Sequence, residues 1–396
     1  FFGIHVRWGA GATPWPSVHL SSWRVIHSET VWYGVEPNRG DWKLGSIDRA
    51  LAVAEKNDVD VLLTLGYSPT WAASRPREEA TDGPAGSHSA PQNLADWETY
   101  VRKIATTYRG RIKYYEIWNE PKFSETDPPN SRGAFVGSIG EYVKLVASAR
   151  KIIKSIDPDA KIVAPSVVGG YGTRRLDAFL AAGGKDVTDV VGYHFYAANP
   201  EEIPKIARAV REVMAKNGME DRELWNTESG FLTEYPGSPI PPEQSAGSTL
   251  MNAENLGAYA ARSLILGAAA GLERFYWYTW DVPRYALTRN RGKDATRSSR
   301  AYAETVGWLR GTTITGCSIT GTVYVCGLTR GKRKAWAVWD VADTRDWTVP
   351  SDWNAVGYRT LRGRVSVIRG EHVRISGFPI LLQADAEPWT EARPSN

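Results

Sequence analysis

The sequence predicts a (β/α)8 barrel of the TIM type followed by a small C-terminal antiparallel β domain, and three observations carry that prediction. Eight short runs rich in β-branched and aromatic residues are spread over the first three quarters of the 396 residues. Amphipathic stretches of helical period lie between most of them. After residue 311 the helical period stops, and short runs punctuated by turn residues take over. Strand–helix alternation repeated eight times over about 310 residues matches the size of a closed parallel barrel.

In chain order, the predicted strands are residues 2–8 (FGIHVRW), 22–27 (SWRVIH), 59–65 (VDVLLTL), 112–118 (IKYYEIW), 161–166 (KIVAPS), 189–195 (DVVGYHF), 222–227 (RELWNT) and 273–280 (ERFYWYTW). The predicted helices are 46–57, 94–108, 139–155, 174–182, 201–216, 252–270 and 298–309. Asn199 before Pro200 reads as a cap followed by proline at the first helical position. Only the first connection, residues 9–21 with Pro14 and Pro16, has no helical pattern. An open doubly wound sheet is the rival architecture, but GAGATPWP after the first strand runs into prolines where a phosphate-binding turn needs a helix. The domain boundaries expected are 1–311 for the barrel, 312–386 for the β domain and 387–396 for a loose tail.

Composition narrows the function. Hydrophobic residues make up 42% and charged residues 23%, enough to bury a large core. The net charge of +4 is spread along the chain, so nucleic acid is not indicated as a partner. No stretch approaches the roughly 20 apolar residues of a membrane helix, and Arg262 interrupts the most apolar run, 256–272. Cys317 and Cys326, nine residues apart in strand-rich sequence, are expected to form a disulfide across a hairpin. With no signal-like segment after Phe1, a leader is expected to have been removed or left outside, and the protein to be secreted or periplasmic. The six His and two Cys show no metal-ligand spacing, so neither a metal nor another cofactor is expected. Seventeen Trp and eighteen Tyr exceed what a core of this size needs, and flat rings suit sugars or nucleobases.

Functional side chains of a parallel barrel gather where strands end at the C-terminal mouth. Glu120, in EIWNEP, closes the fourth strand, and Glu228, in WNTESG, closes the seventh, which lies across the mouth. Facing carboxylates are the apparatus of glycosidic-bond hydrolysis: one protonates the leaving oxygen while the other attacks or activates water. A lone Glu at a strand end reads as an ordinary loop acid; two at these ends do not.

These motifs, with HFY between them, resemble the clan A retaining glycoside hydrolases. Within the clan, the passage WRVIHSETVWYGVEPNRGDWKLGSIDRALAVAEKNDVDVLLTLGYSPTWAA looks like glycoside hydrolase family 39. The resemblance implies a retaining β-glycosidase with Glu120 as general acid/base and Glu228 as nucleophile. It also implies Asn119 on the sugar 2-hydroxyl, Tyr196 donating to Glu228, His194 on the same wall, and Trp280 as the platform beneath the sugar. The substrate expected is an oligo- or polysaccharide cut internally, with an exo-acting β-xylosidase or β-glucosidase as the alternative and a non-catalytic carbohydrate-binding barrel as the reading from another class. Oligomeric state is open.

Other candidates have two readings each. Glu116 shares parity with Glu120 and is expected to point into the barrel, where its charge needs a partner. Arg24 is that partner, or it reaches the nucleophile. His5 and His27 touch substrate or are satisfied core histidines. Trp71 and Trp32, with Trp15, Tyr33, Tyr171 and Trp277, lie near strand ends, to line the cleft or to pack. The loop after the eighth strand carries Arg284, Arg289, Arg291, Lys293, Arg297 and Arg300; it draws an anionic polysaccharide to the mouth, or it is solvated surface charge.

Overall fold

The computed structural model describes residues 1–128, 133–234, 250–385 and 389. Eight parallel strands close into a barrel: β1 (Phe2–Ile4), β2 (Ser22–Val25), β3 (Asp60–Leu65), β4 (Tyr114–Ile117), β5 (Lys161–Val168), β6 (Val190–His194), β7 (Glu223–Ser229) and β8 (Arg274–Trp277). All eight expected strands are present, each starting or ending within a few residues of its predicted bounds. Closure pairs Phe2 with Phe275 and Ile4 with Trp277, which leaves no free edge.

Among the described residues, seven helices of ten residues or more ring the barrel: α1 (Gly45–Lys56), α2 (Leu94–Thr107), α3 (Ile139–Ile156), α4 (Gly172–Ala181), α5 (Ile203–Lys216), α6 (Ala253–Ala269) and α7 (Arg297–Leu309). Local chemistry starts several of them. Asn93 accepts from the Ala95 N–H, Ser138 and Glu141 form a reciprocal capping box, and Asn252 accepts from Glu254 and Asn255. Asn199 departs from expectation: it does precede Pro200 with extended backbone, but its side chain caps no backbone N–H and donates instead to Glu202.

Inside the barrel, alternation along the strands builds layers. Leu62, Val163, Val190, Trp225 and Tyr276 fill the lower layer with Tyr114 against them. Two residues further along the strands, or three past the register shift after Pro165, Arg24, Thr64, Glu116, Ser166 and Thr227 form a polar layer directly beneath the mouth, and each of these residues is buried. The hydrophobic core proper lies outside the strands, between the barrel and its helices.

After α7, six strands form an antiparallel sheet: β9 (Thr313–Thr320), β10 (Val323–Arg330), β11 (Arg333–Asp340), β12 (Gly357–Thr360), β13 (Val365–Val367) and β14 (Ile380–Gln383), in the order β9–β10–β11–β14–β12–β13. One face joins the main core through Leu328, Trp339 and Leu381, and the other carries a small cluster of its own around Val338 and Leu382. The Trp339 indole donates to Glu201 at 3.0 Å, and Glu304 on α7 accepts from Arg359 at 3.0 Å, tying sheet to barrel. Most of the tail from 387 onward lies outside the described residues. Trp389 does not fit a loose tail: it is fully buried, its indole donates to the Trp308 carbonyl, and Arg330 lies over its ring. Among the described residues no helix is long and apolar enough to cross a membrane; the apolar run 256–272 falls largely in α6, where Arg262 pairs with Glu201.

Cys317 and Cys326 sit directly opposite each other on β9 and β10, with Cα atoms 4.1 Å apart, and are joined as a disulfide. Reducing it frees a short loop in the unfolded chain, so urea midpoints with and without a thiol reductant should differ by about 2–3 kcal/mol of stability. Coincident curves would show that the bridge contributes nothing.

Candidate active site

The strand β4 stops at Ile117, and the chain leaves the extended conformation there. Trp118 (φ 65°) and Glu120 (φ 41°) both take left-handed backbone, a conformation that costs a side-chain-bearing residue of order 1–3 kcal/mol. Surrounding bonds over-determine it. The Trp118 N–H donates to the Leu65 carbonyl at 2.7 Å, its indole to the Ala134 carbonyl at 2.6 Å, and the Glu120 N–H to Ser166 at 3.2 Å. Gly66 is required beside this turn, because a Cβ there would stand 2.8 Å from the Trp118 ring. The turn lifts Asn119 and Glu120 out of the pleat and onto the mouth.

Glu228 is the penultimate residue of β7. One carboxylate oxygen accepts from the Tyr196 hydroxyl at 2.8 Å, the other from the Arg24 Nη1 at 2.7 Å. Gly230 just beyond is also obligatory, since a Cβ would overlap the Tyr278 carbonyl at 1.9 Å. Burial first, then the charge of Glu228, hold the Tyr196 phenol well above its ordinary pKa, so it stays a donor.

Arg24 joins the polar layer to the mouth. Its Nε donates to Glu116 at 2.8 Å, its Nη1 to Glu228, and its Nη2 to the Asn119 carbonyl oxygen at 2.6 Å. The two readings of Arg24 are therefore both correct: one guanidinium serves Glu116 and Glu228 at once. Burial acts to lower its pKa, and the carboxylates of Glu116 and Glu228 more than reverse that. Glu116 is completed by Thr64 at 2.5 Å and Ser166 at 2.6 Å, so no oxygen of this buried carboxylate lacks a donor.

Across from Glu228, the Glu120 carboxylate accepts from the His194 Nδ1 at 2.9 Å, and the same nitrogen lies 4.0 Å from Glu228. One polar atom from each of Glu120, His194 and Glu228 falls within 4.8 Å of the others. Burial raises the Glu120 carboxyl, but the His194 hydrogen bond and charge, then Arg24 and Lys122, outweigh it and hold the group below the ordinary carboxylate range. Two carboxylates and an imidazole at this spacing have the donor set of a cation site, and Arg24 and Tyr196 each donate to one oxygen of Glu228.

A cavity of about 530 Å³ opens above Asn119 and Glu228. His27 lines it, as do His5, Tyr33, Tyr67, Asp82 and Tyr278. Three of the expected sugar-contacting rings lie elsewhere. Trp32 is fully buried, stacked on Tyr100 at 5.1 Å and donating to Glu36. Trp71 packs edge-on to Trp32, with its indole on the Glu36 carbonyl and Arg39 over its face. Trp280 is 6% exposed and packed in the core beside Gly292; the β8 ladder ends at Trp277, so counting by twos along the strand does not reach position 280. Trp15 and Trp277 also pack, Tyr171 is surface, and only Tyr33 of that group faces the cavity. Tyr67 and Tyr278, which the sequence reading did not single out, supply its rings; both sit one or two residues past a strand end, the signal that could have found them. The basic loop stays outside: Arg291 lies over Trp8, Arg297 pairs with Glu254, and only Val282 of the residues after Trp280 lines the cavity.

With this geometry in hand, similarity to known proteins is informative. No family model matches the chain. A family 39 glycoside hydrolase from the gut symbiont Bacteroides cellulosilyticus WH2 superposes with a TM-score of 0.71 at 19% identity, covering 97% of this chain and 80% of that one. The fold is shared with barrel glycoside hydrolases. A conserved exported protein from Bacteroides fragilis (TM-score 0.65, 14% identity, 96% of each chain) and a family 30 endoxylanase from Clostridium papyrosolvens C71 (TM-score 0.62, 12% identity, 97% and 96%) have the same architecture.

Arg24→Met should destabilise the protein by about 3–5 kcal/mol in urea melts, because two carboxylates and an amide oxygen lose their shared buried cation. A loss below about 1 kcal/mol would mean that the network is not held by this charge.

Proposed function

We propose that the protein is a retaining β-glycoside hydrolase in which Glu228 is the nucleophile and Glu120 the general acid/base. The observation that carries this reading is the approach of Glu120 and Glu228 to within 4.8 Å across the mouth. Retaining enzymes place their carboxyl groups about 5 Å apart, whereas inverting ones need some 6.5–9.5 Å to admit a water between carboxylate and sugar.

In the first step a Glu228 oxygen attacks the anomeric carbon as the glycosidic bond breaks, and Glu120 gives its proton to the leaving oxygen. In the second, Glu120 takes a proton from water, whose oxygen displaces Glu228 from the same carbon. Arg24 and Tyr196 aim the nucleophile and stabilise it as the ionised form. Asn119, its carbonyl oxygen fixed by Arg24, turns its NH2 group toward the sugar 2-hydroxyl.

The substrate we infer is a β-linked polysaccharide cut internally. The surplus of aromatic residues, the open cavity and the endoxylanase among the structural neighbours support this. The Cys317–Cys326 disulfide and the exported neighbour support a secreted or periplasmic protein.

Four measurements test this. Glu228→Gln and Glu120→Gln should each lower kcat on polysaccharide by at least about 10²-fold, and NMR of the first-formed product should show the β anomer. Azide should rescue turnover of an activated aryl glycoside by the Glu120 variant with the retained β-glycosyl azide as product, and any rescue of the Glu228 variant should give the inverted α-azide; the opposite pairing of variant and product would exchange the roles. The pH profile adds a signed test. His194 holds the Glu120 carboxyl down, so His194→Gln should let it rise, and the alkaline limb of kcat/KM, set by loss of that proton, should move to higher pH. A limb that stays put or moves down would remove His194 from the acid's environment.

A further inference from the structure

The cavity has a direction, and the direction says what it holds. Asn119 and Glu228 form its floor, while Glu120 is not among its lining residues. In the glycosidase reading, on which this inference rests, Glu228 meets the anomeric carbon, Asn119 the 2-hydroxyl and Glu120 the leaving oxygen. Space on the Asn119 and Glu228 side is therefore where the sugar that becomes glycosylated, the glycone, sits.

Arg7 stands on the wall of that space, in the connection after β1. Its backbone is fixed: the N–H groups of Arg7 and Trp8 donate to the two carboxylate oxygens of Asp281 at 2.8 and 3.0 Å, and the Thr13 hydroxyl adds a third bond at 2.7 Å. Asp281 is 2% exposed and is spent on holding this loop. The Arg7 side chain, by contrast, is exposed and makes no ion pair or hydrogen bond among the described residues. Its field is felt by His27, Tyr33 and Tyr278, three of the groups around the cavity.

His27 adds an independent sign of something missing. It is buried, it lines the same cavity, and neither ring nitrogen has a hydrogen-bond partner. Burial, then the Arg7 charge, push its pKa down to about 4 against a weaker upward pull from the Ile26 backbone, so the ring is neutral. Asp82 on the facing wall is already engaged by the His88 Nε2 at 2.7 Å. Among the described residues, an arginine with no ion pair and a neutral imidazole whose ring nitrogens meet no geometric hydrogen-bond partner line one cavity with Asn119 and Glu228.

We propose that the glycone is a uronate, and that Arg7 takes its carboxylate in a forked ion pair beside the His27 ring. A planar guanidinium matches the two oxygens of a carboxylate, and the pair selects for that group because a neutral hydroxymethyl leaves Arg7 in water with nothing gained. Arg7 is a specificity-determining residue in this assignment and plays no part in bond cleavage.

The test uses matched substrate pairs: uronate-bearing β-linked polysaccharides and aryl β-hexuronides, each against its carboxyl-reduced neutral counterpart. The wild-type enzyme should favour the uronate member of its best pair in kcat/KM by about tenfold to a hundredfold, the range of one charged hydrogen-bonded contact. Arg7→Gln should bring that ratio near one, and Arg7→Lys should restore part of it. Preference for the neutral member in every pair, or a uronate preference that survives Arg7→Gln, overturns the proposal and leaves the glycosidase reading intact. Absence of cleavage of any pair, with no difference between wild type and Glu228→Gln, overturns both.

Discussion

The structure depends on a guanidinium that water never reaches. Arg24 has no exposed side-chain surface, and neither does Glu116. Moving either charge from water into a protein interior costs several kcal/mol, and mutual attraction offsets that only when every donor and acceptor is used. Here nearly all are. Glu116 takes bonds from Arg24, Thr64 and Ser166, while Arg24 spends its remaining donors on Asn119 and Glu228. An apolar layer of the same volume would hold the barrel together as well or better, so the charges are better explained by position than by stability. Four strands, β2, β3, β4 and β5, are tied at one depth, and the two groups above inherit that registration. The nucleophile candidate cannot rotate away from its cation without leaving Arg24 half unpaired.

The second carboxylate is held by opposite means. Glu228 extends a regular strand and is fixed through its side chain; Glu120 is fixed through its backbone, in a left-handed turn wedged between the Trp118 ring, Gly66 and the Ser166 carbonyl. Its side chain keeps 28% exposure and one strong partner, His194. The difference suits the proposed division of labour. A nucleophile must hold one line of attack, whereas an acid/base must reach a leaving oxygen in one step and a water in the next, and so needs a firm base and a freer tip.

This contrast also explains how much could be read from the sequence. Eight strands were legible because parallel strands under helices are apolar on both faces, and their runs are short, dense and bounded. Glu120, Asn119 and Glu228 were legible because turns at strand ends use few residue types, and EIWNEP and WNTESG state them in order. Arg24 and Glu116 followed from parity alone, yet that Arg24 serves two carboxylates was not legible, because three-way contact across a barrel is a fact of registration between strands. Rings were where the reading failed. Trp32, Trp71 and Trp280 sit within a few residues of strand ends, as Tyr67 and Tyr278 do, but an indole is large enough to be most stable where both its faces are covered, and in this chain Trp32 is sandwiched among Trp97, Tyr100 and Trp71. The phenols remained for the cavity, where a hydroxyl can meet solvent or ligand.

The cavity also shows why counting charges along the chain mislocated the cationic feature. Six basic residues between 284 and 300 look more consequential than one arginine at position 7, and near the mouth their summed charge is larger. Summed charge acts at a distance and is screened within about 8 Å at physiological salt, while recognition of a substituent needs one cation at a fixed place with no competing anion. In the described residues, Arg297 already has its carboxylate and Arg291 its indole face. Arg7 has neither, and its backbone is held by a buried aspartate that does nothing else. The loop fixes the Arg7 backbone and leaves its exposed side chain without an ion pair or hydrogen bond among the described residues. Arg7, Asn119 and Glu228 line one cavity, so in the proposed reading a sugar held on Asn119 and Glu228 is the group placed to supply that partner.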